Sequence, residues 1–140
     1  MQCPNCGNTF KAQVYSIIDA GQNPDLRTAL LAGQLNVAVC PKCNTGVYVE
    51  TPLVYHDAAA EFLGVYLPPQ LNLPEMERQK LIGDMTQALM RTLSPEQRKG
   101  YFFNPRQYIN RQSFVDAILG TMGVTQEELD RQRRKMKLLD

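Results

Sequence analysis

The four cysteines of the 140-residue chain fall in two copies of one pattern, Cys3-Pro4-Asn5-Cys6 and Cys40-Pro41-Lys42-Cys43. A Cys-x-x-Cys turn offers two thiolates from one short loop, with backbone amides facing the sulfurs. Two such turns complete a tetrahedral zinc site, each sulfur about 2.3 Å from the metal. Gly7, directly after Cys6, allows the positive φ that such a turn tends to need. The spacing therefore predicts one structural Zn2+ bound by Cys3, Cys6, Cys40 and Cys43. The loop between the turns has 33 residues, against about 15–20 in typical ribbons, so an insertion must fold within it.

Cys-Pro-x-Cys also serves thiol–disulfide exchange, where it usually opens a helix whose N-terminus lowers the thiol pKa. Here one motif leads toward a strand and the other lies between two, which favours metal. Four thiolates close the coordination sphere, whereas a catalytic zinc keeps an open position. The single histidine, His56, is expected in a hairpin connection at the surface, hydrogen-bonded to Asp57. No Ser-His-Asp arrangement, phosphate loop or dinucleotide fingerprint is visible, so an enzyme is not expected.

The elements that must hold the cysteines are legible in part. Residues 9–18 alternate through Phe10, Ala12 and Val14 and predict a strand. Asn23-Pro24-Asp25 starts a helix that runs to Leu31 and stops at Gly33, with Leu26, Ala29 and Leu30 as its apolar face. Residues 35–40 lead as a strand into the second turn. A strand over 46–55, with Pro52 marking a bulge or edge, a turn over 56–60 and a strand from Phe62 to Leu67 complete a hairpin. Pro68-Pro69 and Pro74 mark a linker.

Beyond it the pattern is helical. Leu81, Ile82, Met85, Leu89 and Leu93 share a face over 75–93. Ser94-Pro95-Glu96-Gln97 opens a short helix closed by Gly100, Ser113 with Asp116 opens another, and Thr125 with Glu128 opens the last. Tyr101, Phe102 and Phe103 are expected in the core. The expected fold is α+β: an N-terminal zinc-ribbon-like antiparallel sheet with an inserted helix, residues 1–70, then a helical region, residues 71–140. The last helix has no terminator over 129–140, and reads as cut within a longer one.

Composition narrows the class. Apolar residues are 44% of the chain, enough for a core, and no apolar run approaches a membrane span. A ligand at position 3 leaves no room for a cleavable signal, so a cytoplasmic protein is expected. Residues 1–72 carry three basic and five acidic residues, and the remainder carries the other twelve and nine. The ribbon half is thus acidic, the reverse of a ribbon that reads nucleic acid. Arg131, Arg133, Arg134, Lys135 and Lys137 could contact phosphates, but Glu127, Glu128 and Asp130 dilute that charge. Nucleic acid is the lesser expectation. The greater is a protein partner or a second copy, met through the helical region, where Leu129, Met136 and Leu139 form a weak seam.

The sequence resembles the bacterial CpXC domain, a family named for paired Cys-Pro-x-Cys motifs, over roughly residues 2–68. The resemblance rests on Cys3-Pro4-Asn5-Cys6-Gly7, on Leu35-Asn36 before Cys40-Pro41-Lys42-Cys43, and on Pro52-Leu53-Val54-Tyr55-His56-Asp57. The second motif carries Asn44 where the usual knuckle has Gly, and Asn tolerates positive φ. The resemblance implies a zinc-ribbon-like fold and a bound metal, and no activity.

Overall fold

A computed structural model describes residues 1–97, 99–125, 127–128 and 130–131. The strands are β1 (Ile17–Asp19), β2 (Val37–Val39), β3 (Gly46–Tyr48), β4 (Leu53–Asp57), β5 (Phe62–Tyr66) and β6 (Arg106–Tyr108). The helices are α1 (Pro24–Leu31), α2 (Glu75–Met90) and α3 (Arg111–Thr121). Short 3-10 turns cover Pro69–Leu71, Pro95–Gln97 and Gly100–Phe103. The fold is α+β, with the sheet scaffold in the N-terminal half and most of the helix in the C-terminal half.

The main sheet runs β1-β4-β5-β6. Its centre is the antiparallel β4–β5 hairpin, and β1 and β6 flank it in parallel. Both central strands are buried along almost their whole length, because side chains alternate between two covered faces. Leu53, Tyr55, Phe62 and Tyr66 face a cluster completed by Ile18, Leu30, Phe114 and Ile118 from β1, α1 and α3. Val54, Leu63 and Val65 face a second cluster with Ile82, Leu89, Leu93 and Phe102. Both clusters draw side chains from either side of Pro69.

Several expectations hold residue by residue. Helix α1 spans Pro24–Leu31, ends against Gly33 at φ +74 and buries Leu30. The apolar face of 75–93 buries Ile82, Leu89 and Leu93. The Thr125 hydroxyl accepts the Glu128 N–H at 3.2 Å, as in a cap.

Other segments differ, each for a physical reason. The expected strand over 9–18 is a bridge at Thr9 and the short β1, because Asn36 takes the backbone hydrogen bonds of Tyr15. The run over 46–55 is two strands in two sheets, broken around Pro52, which has no N–H for a ladder. Residues 106–108 are a strand, pairing with Gly64–Tyr66. Gly100 begins a 3-10 turn that places Phe102 in the core and leaves Phe103 89% exposed. His56 lies inside β4, fully buried, and not in the turn. Leu129, Met136 and Leu139 lie outside the described residues.

Candidate metal centre

Each cysteine motif forms the same hydrogen-bonded knuckle. Gly7 N–H donates to Cys3 C=O at 2.9 Å, and Cys3 N–H donates to Asn8 C=O at 2.8 Å. The second knuckle repeats both bonds at the same offsets. Asn44 N–H donates to Cys40 C=O at 2.8 Å, and Cys40 N–H donates to Thr45 C=O at 3.0 Å. Gly7 (φ +77) and Asn44 (φ +63) take the left-handed turn at equivalent places. The strand pairs that close the knuckles are also equivalent: Gln2 with Thr9, and Val39 with Gly46.

The two knuckles face each other. Cys3 Sγ lies 3.6 Å from Cys43 Sγ, and Cys6 Sγ lies 3.6 Å from Cys40 Sγ. All four sulfurs lie within 4.8 Å of one another. Thiolates about 2.3 Å from one centre stand about 3.8 Å apart in a tetrahedron, so the set fits a single metal ion. It does not fit disulfides, since all four cysteines are free and a sulfur–sulfur bond is about 2.05 Å. Cys3 and Cys40 are buried, and Cys6 is exposed, so the centre opens toward solvent on the Cys6 side.

The knuckles also stabilise thiolate. The Thr45 hydroxyl, 3.1 Å from Cys43 Sγ, and the Asn5 side chain hold the Cys43 thiol down to about 5. Burial opposes ionisation of Cys40, but the backbone N–H groups of Cys43 and Lys42 lower its pKa. At Cys6 the Asn8 N–H favours thiolate. Partial desolvation of the sulfur by its neighbours and the bonds to the other three sulfurs outweigh it and push the thiol up to about 12. Without metal the cluster thus keeps a proton at Cys6 while Cys43 is charged. A cation would replace that proton.

A polar belt joins this centre to the sheet. Tyr48, at the end of β3, donates its hydroxyl hydrogen to Gly33 C=O. The Arg111 guanidinium sits 4.7 Å over the Tyr48 ring and 5.8 Å from the Tyr66 ring. Glu50 accepts from the Tyr66 hydroxyl at 3.1 Å and faces Arg111 at 3.6 Å. These residues fix the hairpin orientation relative to α3 and β5.

The remaining expected residues are placed less tightly. Arg131 is ion-paired with Glu127 at 3.7 Å and its side chain is 64% exposed. Arg133, Arg134, Lys135 and Lys137 lie outside the described residues. One constellation was missed: Asp19, His56 and Tyr101 form a hydrogen-bonded chain. Only the register of β1 on β4, which sets Asp19 opposite His56, brings the first two together. The two stand 37 positions apart, and nothing in the sequence between them signals the pairing.

Paired cysteine knuckles docked on a mixed sheet define a small α+β protein built around a four-thiol centre that can hold a metal ion. The chain belongs to the CpXC protein family, matching its description over residues 1–131. No curated protein and no solved structure matches it. No helix among the described residues is long and apolar enough to cross a membrane.

Proposed function

We propose that this chain is a zinc-stabilised interaction module. One structural Zn2+ is held by Cys3, Cys6, Cys40 and Cys43, and the helical region offers the surface for a protein partner or a second copy. The observation that carries the reading is the closed set of four mutually adjacent thiols. Soft sulfur ligands in a tetrahedron suit zinc, and four of them leave no position for substrate. Free thiols suit the reducing cytoplasm. Exposed Phe103 and Met76, both beyond Pro69, support an interaction role for the C-terminal half.

Nucleic acid is the less favoured partner, because Arg131 is already paired with Glu127. Native mass spectrometry and light scattering test the proposal together. One zinc per chain and a mass above that of one chain, or a captured protein, support it. Metal-free protein with two internal disulfides, or a strict monomer without partners, counts against it.

A further inference from the structure

The structure assigns a second chemical centre on the sheet: Asp19, His56 and Tyr101 form a nucleophile–base–orienter chain in which the Tyr101 hydroxyl attacks neutral or cationic acyl donors, such as uncharged esters. This goes beyond the interaction module and does not depend on it.

The geometry runs from the buried end outward. Asp19 Oδ1 accepts the Gly21 and Gln22 N–H groups at 2.9 and 3.1 Å, which locks the carboxylate in a turn. Its Oδ2 lies 2.7 Å from His56 Nδ1. Because a carboxylate only accepts, Nδ1 carries a proton, and in the neutral Nδ1–H tautomer Nε2 is the acceptor. Tyr101 Oη lies 2.6 Å from Nε2, and in that tautomer the hydroxyl donates to it. The two rings are within 17° of parallel with centroids 5.7 Å apart. An O···N distance this short excludes face-to-face contact, so the bond runs edge to edge toward the in-plane Nε2 lone pair. Phe102, with its ring 4.9 Å from the imidazole, covers His56 from the side. His56 is fully buried while Tyr101 is only half-buried, so Tyr101 is the member of the chain nearest solvent.

These are the roles of an activated nucleophile, with the base oriented by a third group. Tyr101 Oη bonds to the acyl carbon as its proton passes to His56 Nε2. The bond from carbon to the leaving group breaks, and Nε2 returns the proton to that group. Water then attacks the acyl-tyrosine with His56 again as base, releasing the acid and restoring the phenol. Asp19 stabilises the transient imidazolium. Burial, then Glu61, Asp19 and Asp57, keep Tyr101 protonated at rest, as a hydroxyl that reacts only with base assistance should be. Lys99 pairs with Glu61 at 3.7 Å, so it is the buried Asp19 and the turn-bonded Asp57, both on the sheet side, that disfavour an anionic donor.

The test uses the full-length, metal-loaded chain with p-nitrophenyl acetate, acid quench and peptide mapping. Exposed Tyr48 is the internal reference. General-base assistance predicts that Tyr101 acylates about 100-fold faster than Tyr48, and that His56→Gln removes this advantage. An ester carrying a carboxylate should react more slowly at Tyr101 than the neutral one. The imidazole 15N spectrum, simple because the chain has one histidine, should show Nδ1–H, and Asp19→Asn should shift that tautomer. Equal acylation of Tyr101 and Tyr48 in the unmodified chain overturns the assignment even if the variants fail to fold. So does Tyr101 acylation that survives His56→Gln.

Discussion

The side-chain amide of Asn36 pairs in both directions with the backbone of Tyr15. Asn36 Oδ1 accepts the Tyr15 N–H at 2.8 Å, and Nδ2 donates to the Tyr15 C=O at 3.0 Å. Asn36 itself is buried and left-handed at φ +58, and its own C=O accepts the Val49 N–H. One residue thereby joins the N-terminal segment, the approach to the second knuckle and the exit from β3. Asn36→Ala should cost about 3 kcal/mol, from two stranded backbone groups and a strained φ. Urea unfolding measures it, and a loss below about 1 kcal/mol would remove Asn36 from this role.

Cys40 is, with Cys3, one of the two fully buried members of the four-thiol set. Cys40→Ser should release the metal, and with it folding free energy on the order of 10 kcal/mol. Elemental analysis and thermal melting should show both losses together. A serine variant that retains metal and melting temperature would falsify the ligand set.

Acid should act on the same centre. Cys43, lowered from 9.0 to about 5, contributes stability in full above its unfolded value, and loses it as pH falls through about 5. Cys6, raised from 9.0 to about 12, has the opposite sign: its contribution is present below 9.0 and fades toward 12. Metal-stripped protein should therefore retain thiolate absorbance at neutral pH and lose it with a midpoint of about 5. Thr45→Val should move that midpoint upward. A midpoint unchanged by the substitution would show that the Thr45 hydroxyl does not hold the thiolate.

The legible parts of this protein were those written in local chemistry. The two knuckles are short loops whose ligands, Gly7 and Asn44 all lie within a few residues, so spacing alone reached them. Helix α1 was equally local, with Pro24 at its start and Gly33 at its end. The sheet was not local. Strand β6 is three residues, Arg106–Tyr108, with no alternation to announce it, and only its parallel pairing with β5 makes it a strand. His56 read as a turn residue because its neighbours are polar and the hairpin turn follows closely. Its burial depends on Asp19 and Tyr101, whose positions are set by tertiary contacts.

Gly64 marks a tight place that composition does not reveal. A Cβ there would stand 2.8 Å from Phe62 Cε1 and 3.3 Å from Phe114 Cε1. The Phe62 ring cannot swing freely, since Tyr55 meets its edge at 5.9 Å and Arg106 covers it at 5.6 Å. Gly64→Ala should cost about 2 kcal/mol through overpacking, despite adding apolar volume. Chemical denaturation reads the cost, and a neutral or stabilising result would show that the ring pair relaxes.

Phe114 carries the last prediction, because it is where α3 meets the N-terminal strands. Its ring is fully buried, 5.8 Å from Tyr66 on β5 and 5.6 Å from Tyr108 on β6. Phe114→Ala should cost about 4 kcal/mol through lost burial and the cavity left behind. The more informative readout is the shape of unfolding. Tyr66 also anchors the Glu50–Arg111 belt that holds the cysteine hairpin. A loss at Phe114 should therefore lower the midpoint of metal release on heating together with that of the helices, in one transition. If metal release kept its original midpoint while helix content fell, the four-thiol half would be a separate folding unit and the belt would not couple the two.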